Sequence, residues 1–272
     1  MRKRSPDLAI KGTGFLAIGI VAVLTMLPQM AKRDSMLDEI ASGKTRVLDL
    51  SYAINDKLVP WPGDEKVFEA KVNASVEKEG YFTRSFWMRE HYGTHVDAPV
   101  HFPSGKTTVD QIPVKQLFGP AVVIDVRAEG GKDADYQLPA ARVEERERRH
   151  GRIPAGAIVL LRTGWAAYWP DAQKYRGLDP EGRMHFPGFS VEAVKLLIGR
   201  KINGLGCDTM SVDYGASADF AVHHLALGSG LYHLENLADL SGLPESGAFL
   251  LVAPIKLEGG SGGPVRVFAL VP

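Results

Sequence analysis

The chain has little of what small proteins use to staple themselves together or to bind by charge alone. Of its 272 residues a single one, Cys207, is cysteine, which excludes an internal disulfide. No cysteine-protease signature surrounds this thiol, and it reads as a small buried residue rather than a nucleophile. Net charge is also absent: 32 lysines and arginines face 32 aspartates and glutamates. A balanced chain has no general attraction for a polyanion, which argues against nucleic acid as a partner. Internal repeats and low-complexity tracts are missing too, so neither a solenoid nor a disordered scaffold fits. What is present is an ordinary globular composition, 45% hydrophobic and 24% charged, enough for a sizeable core.

One long apolar run stands at the N-terminus. Arg2, Lys3, Arg4 and Lys11 precede an uncharged stretch, Gly12 to Ala31, with "GFLAIGIVAVLTML" at its heart, and Lys32 and Arg33 follow. Basic, apolar, polar is the order of a signal sequence. The "LPQMA" that follows lacks the small residues of a cleavage site, so an uncleaved anchor with its basic end inside is the alternative. Residues 1–35 are therefore assigned to a signal sequence or N-terminal membrane anchor, and residues 36–272 to one folded domain. Export to the periplasm, or anchoring by the N-terminus, is the expected location, against the cytoplasm.

Within residues 36–272 strand-like runs dominate: "TRVLDLSYAI", "PAVVIDV" (Pro120 to Val126), "AIVLLRTGW" (Ala157 to Trp165), "INGLGCD" (Ile202 to Asp208), "AFLLVAPIKL" (Ala248 to Leu257) and "PVRVFALV" (Pro264 to Val271). Helical periodicity marks "AARVEERERRH" (Ala140 to His150), "SVEAVKLLIGR" (Ser190 to Arg200) and "ADFAVHHLAL" (Ala218 to Leu227). Together they predict one α/β domain rich in strand.

Three of the eight histidines crowd the chemistry-bearing stretch. "REHYGTHVDAPVHF", Arg89 to Phe102, places His91, His95 and His101 around Asp97. Gly93, Val96 and Pro99 disfavour a helix, and in an extended strand His91, Gly93, His95 and Asp97 share one face, with Gly93 leaving a space between the imidazoles. Nitrogen ligands flanking a gap, with a carboxylate beyond, suit a divalent ion such as Zn²⁺ or Mn²⁺. Pro99 ends strand pairing and turns the chain so that His101 returns toward the site without being required as a ligand. The rest of the shell is expected from "ADFAVHHLALGSGLYHLENL", read as a helix carrying His223 and His224, a Gly-Ser-Gly reversal and a strand ending in Glu235. His150, His185, His224 and His233 have no such company and are read as ordinary packed or surface residues. Asp208 and Asp213, in "GCDTMSVDYG", are read as turn-forming aspartates in preference to hydrogen-bond acceptors behind the site.

"HYGTHVDAPVHF" resembles the signature of the cyclase family of metal-dependent hydrolases, which includes bacterial kynurenine formamidases and isatin hydrolases. "WPGD", "LLRTGW", "GCDTMSVDYG", "HHLALGSGLYHLEN" and "GGSGGPVRVFAL" follow in the family's order, so the likeness runs from about Thr45 onward. It implies a swivelling β/β/α domain with a barrel-like core, assembled as a homodimer or higher homo-oligomer. It implies two divalent metal ions, Zn or Mn, the first on His91, His95 and Asp97, the second on Asp97, His223 and Glu235. His223 is preferred to His224 by its spacing to Glu235. It further implies that His101 is the catalytic acid–base and that Trp61 packs on a small aromatic amide substrate. The implied activity is arylformamidase, N-formyl-L-kynurenine to L-kynurenine and formate. A cyclic amidase such as an isatin hydrolase is the near alternative, and a non-catalytic metal- or ligand-binding protein the alternative of another class.

Overall fold

The computed structural model of the protein describes residues 36–64 and 66–272; the leader read at residues 1–35 lies outside them. Among the described residues no helix is long and apolar enough to cross a membrane. The strands are β1 (Arg46–Asp49), β2 (Phe68–Ala74), β3 (Thr83–Met88), β4 (His95–Asp97), β5 (Phe118–Asp125), β6 (Gln137–Leu138), β7 (Ile158–Arg162), β8 (Gly188–Phe189), β9 (Gly204–Cys207), β10 (Tyr232–Glu235), β11 (Phe249–Pro254) and β12 (Gly262–Val271). The helices are α1 (Met36–Ala41), α2 (Val76–Glu79), α3 (Arg127–Gly130), α4 (Ala140–His150), α5 (Ala172–Arg176), α6 (Val191–Gly199) and α7 (Ala221–Gly228).

The barrel-like α/β domain forms as expected. β12, β11, β5, β7, β9, β10 and β4 pair in that order, and β4 returns to β12 to close a seven-stranded barrel. β12 makes the closure because it is long enough for two partners along its length: Gly262 to Pro264 pair with β4, and Phe268 to Val271 pair with β1. Closure leaves the barrel strands no free edge there.

Two apolar layers hold the barrel. Val96, Val123, Leu160, Leu234, Leu250 and Val267 point inward and pack in its interior. The alternate residues of β5, β7 and β9, among them Val122, Val159 and Leu205, point outward into a second cluster with Val143 of α4, Leu197 of α6 and Ala226 of α7. Strands buried on both faces need continuous β-branched runs, which is why "AVVI" and "IVLL" do not alternate with polar residues. Each fully buried aliphatic side chain contributes about 1.5–3 kcal/mol.

The helices are placed by their caps. Ser190 Oγ accepts from the Ala193 amide at 3.1 Å to start α6. α4 carries Val143 inward beneath an otherwise charged surface. Outside the barrel, β2 and β3 form a separate antiparallel hairpin that the sequence patterning did not disclose, and its residues are mostly exposed on both faces.

Candidate active site

The site lies on the outer face of the barrel where β10 and β4 run side by side. Side chains alternate along a strand, so Tyr232 and Leu234 join the interior while His233 and Glu235 face out, and Val96 points in between His95 and Asp97. The antiparallel register sets Glu235 opposite His95 and His233 opposite Asp97. α7 packs on β10 and turns His223 onto the same spot, leaving His224 exposed. The helix–reversal–strand reading of this segment is therefore correct in outline, and of its two histidines His223 is the one that faces the cluster.

His91 does not stand on a strand with His95. β4 begins only at His95, because Gly93 sits at φ +66 and turns the chain. The opening expected at Gly93 is filled instead: a Cβ there would lie 3.0 Å from Leu58 Cδ2. His91 consequently enters from the turn and aims Nδ1 at Asp97 Oδ1, 2.6 Å away, while His95 aims Nε2 at the same oxygen from 3.2 Å. After β4, Pro99 opens a 3₁₀ turn, Pro99–His101, which brings the His101 ring flat onto His91 with centroids 3.9 Å apart.

The far nitrogens of these rings are tied to the protein. His91 Nε2 lies 2.8 Å from Ser261 Oγ, and that hydroxyl donates to Glu90 Oε2 at 2.6 Å. His95 Nδ1 bonds the Gly93 carbonyl at 2.9 Å. His223 Nδ1 bonds Asp213 Oδ2 at 2.6 Å, leaving Nε2 3.4 Å from Asp97 Oδ2 and 3.3 Å from Glu235 Oε1. Fastening one nitrogen fixes the tautomer and frees the other as a donor of its lone pair.

Asp213 is more than a turn former. Besides holding His223 it accepts from the backbone amides of Val222 and His223 at 2.9 and 3.1 Å, so one carboxylate caps α7 and aims its imidazole. Asp208 has no such link to the site. It accepts from the Thr163 amide and hydroxyl and the Gly164 amide, at 2.9, 2.7 and 2.9 Å, and pins the end of β7 to that of β9.

His233 is the residue that sequence reasoning passed over. It is fully buried within the cluster, its Nδ1 3.6 Å from Asp97 Oδ2. The available signal was its place two residues before Glu235 on a strand, which puts both side chains on one face.

The electrostatics call for positive charge. Burial works to neutralise Asp97, but the surrounding imidazoles, His95 first, hold its carboxyl well below the usual range. Burial likewise disfavours charged His95, yet Asp97, Glu235 and the Gly93 carbonyl together raise the imidazole; for His223, Asp213, Asp97 and Glu235 do the same. His101 goes the other way, pushed by burial down to about 4, so it is a neutral base at pH 7.

The residues fit divalent ions. Asp97 Oδ2 and both His233 nitrogens are buried with no hydrogen-bond partner, polar atoms that a cation would satisfy. Donor atoms of Asp97, His223, His233 and Glu235 lie within 4.8 Å of one another, as do those of His91, His95 and Asp97. Mixed imidazole and carboxylate donors suit zinc or manganese.

Above the cluster opens a cavity of about 290 Å³ walled by Val59, Trp61, Phe102, Met210 and Phe220. The Trp61 and Phe220 centroids are 6.1 Å apart and those of Phe102 and Phe220 5.6 Å. Arg89 and Asp64 also line it, paired at 2.9 Å, with the Tyr92 hydroxyl donating to Asp64.

A barrel that carries buried imidazoles and carboxylates on its outer face, beneath an aromatic-walled cavity, is the framework of a hydrolase that works with divalent metal. The chain belongs to the Cyclase family, whose model, described as "Putative cyclase", matches residues 48–214. The isatin hydrolase of Roseibium aggregatum is 34% identical over 250 residues, 86% of this chain and 95% of that protein. The kynurenine formamidase of Salinibacter ruber is 27% identical over 223 residues, 81% and 95% of the two chains. A crystal structure of an isatin hydrolase bound to the product analogue thioisatinate matches with a TM-score of 0.80 at 31% identity, covering 86% of this chain and 95% of that one. The family read from "HYGTHVDAPVHF" is thus the right one, and the chain is a hydrolase of that family.

Proposed function

We propose that the protein hydrolyses the C–N bond of a small cyclic aromatic amide, with isatin as the preferred substrate. One observation carries the choice: outside the imidazole–carboxylate cluster the charged groups lining the cavity are Arg89 and Asp64, and they neutralise each other. A flat uncharged bicycle fills such a space without leaving a charge unpaired. The likeness to isatin hydrolase over 95% of that protein's length supports the reading. N-formylkynurenine is the second reading, supported by the likeness to the Salinibacter ruber kynurenine formamidase, and it requires Arg89 and Asp64 to part for its carboxylate and ammonium groups.

In this reading His91, His95 and Asp97 hold one zinc or manganese ion, and Asp97, His223 and Glu235 a second. When bound, divalent ions supply a water acidic enough to attack near neutral pH and positive charge for the developing carbonyl oxyanion. Trp61 gives its ring face to the aromatic substrate and, with Phe102 and Phe220, excludes bulk water. His101, neutral and held against His91, takes the proton of the attacking water on a ring nitrogen. It then returns that proton to the amide nitrogen as the C–N bond breaks. Assembly as a homodimer or higher oligomer, and export or anchoring through residues 1–35, are part of the same proposal.

The test follows isatin ring opening and N-formylkynurenine hydrolysis in parallel, on chain stripped by chelation and then restored with zinc or manganese. Metal-dependent turnover of isatin is the expected result. Turnover of N-formylkynurenine alone would move the assignment to arylformamidase, and silence on both with metal bound would reject an aromatic amide substrate.

A further inference from the structure

Three of the site's histidines have one nitrogen tied to the protein, by Ser261, Gly93 and Asp213 respectively. His233 has neither nitrogen tied, although it is fully buried. An imidazole buried with no partner is costly, and a folded protein keeps one where something else completes it. Asp97 Oδ2, itself without a hydrogen bond, lies 3.6 Å from His233 Nδ1. That separation is too long for a hydrogen bond and short enough for two donors to share one cation. The fold holds the two atoms face to face, because His233 and Asp97 are register partners across β10 and β4, and the His223 ring stands perpendicular to His233 with centroids 4.7 Å apart.

We propose that His233 is a metal ligand, the fourth donor of a closed site built with Asp97, His223 and Glu235, and that the ion there is held more tightly than the one on His91, His95 and Asp97. Four protein donors complete a tetrahedral shell, as in structural metal sites, whereas three leave a position for water or substrate. The open set is the one next to His101, at 3.9 Å from the His91 ring. The two ions then have different duties: an anchor ion under α7, resident in the fold, and an exchangeable working ion beside the acid–base histidine. The inference rests on the metal-dependent reading of the site and is independent of the substrate.

The experiment titrates metal-stripped full-length chain with Zn²⁺, and separately Mn²⁺, against a chromophoric chelator, with elemental analysis of the product. Wild-type protein should bind two ions whose affinities differ by at least about tenfold. His233→Leu should weaken the tighter ion by more than about a hundredfold, beyond the range seen on removing groups that merely orient a ligand. His91→Ala should abolish the weaker ion and leave the tighter in place. His233→Gln, which keeps a polar donor, should fall between wild type and His233→Leu, and covers the case in which the leucine variant does not fold. Melting of the metal-free His233→Leu protein should be no lower than that of metal-free wild type, while its stabilisation by added metal shrinks; a packing role for His233 would give the reverse. Wild-type affinity for both ions in His233→Leu, or loss of the tighter ion in His91→Ala, would overturn the assignment. Failure to hydrolyse isatin with both ions bound would reject the substrate reading and leave this one standing.

Discussion

Replacing Gly262 by alanine tests how the last strand positions the first imidazole. A Cβ at Gly262 would sit 2.4 Å from the Val96 carbonyl oxygen and 2.5 Å from His91 Cε1, with His91 Nδ1 at 3.0 Å. Non-bonded atoms are comfortable at about 3.5–4.0 Å, so something must shift by roughly 1 Å. The Val96 carbonyl belongs to the β4 backbone, paired with β12 through Gly262 and Asp97, and cannot retreat without opening the barrel seam. The contact with that carbonyl therefore strains the seam, and the His91 ring is pushed aside as well, taking its contacts with Asp97, Ser261 and His101 with it. A displacement of that size costs on the order of 10²-fold in rate, and overpacking costs about 1–3 kcal/mol of stability. For a domain of this size each kcal/mol lowers Tm by roughly 2–4 °C. The assays are isatin turnover, metal content and calorimetric melting, with Gly199→Ala as control. Gly199 lies in α6 with nothing within 4 Å of its missing Cβ, so alanine there should be neutral or stabilising by about 0.5–1 kcal/mol. Wild-type rate, metal content and melting in Gly262→Ala would refute the contact as drawn.

Three further outcomes are expected. His101→Ala should keep its metal and lose roughly 10²- to 10⁴-fold in rate, and loss of metal in that variant would reject an acid–base role. Asp213→Asn removes the charge behind His223 Nδ1 and should weaken metal binding about 10- to 100-fold, measured by chelator competition; unchanged affinity would return Asp213 to a capping role alone. Glu147, bonded twice at 2.8 Å by Arg200, has its carboxyl lowered to about 2 in the folded chain against an ordinary 4.5. The stability it contributes is whole above about pH 4.5 and is lost as pH falls toward about 2. Urea midpoints of Glu147→Gln should therefore lie below wild type near neutrality and converge on it under acid, and a gap that widens on acidification would contradict the sign.

The readable parts of the sequence were those in which local pattern and tertiary role agree. "AARVEERERRH" is α4 to the residue, "PAVVIDV" covers β5 from Pro120 to Asp125, and "AIVLLRTGW" contains β7, because buried parallel strands need unbroken β-branched runs. β2 and β3 escaped notice because a hairpin exposed on both faces carries no alternation. The stretch from His91 to Asp97 misled for a different reason: a glycine at φ +66 is silent in sequence, and it converts an expected strand into a turn plus a three-residue strand. The duty of Asp213 and the burial of His233 were hidden because each depends on a partner from another segment, α7 in one case and β4 in the other. Barrel closure was hidden from local pattern for the same cause, since Asp97 meets Gly262 only in three dimensions, and the barrel-like core was legible through the family resemblance alone.

That seam has a consequence for biosynthesis. Ser261, which ties His91, and Gly262, which lies against Asp97, are translated some 160 residues after His101. At about 5–20 residues per second the ribosome needs roughly ten to thirty seconds to cover that distance. During this interval the nascent chain carries His91, His95, His101 and Asp97 without the strand that arranges them, and β4 lacks its β12 partner. A fold whose decisive pairings span nearly its whole length collapses late and slowly.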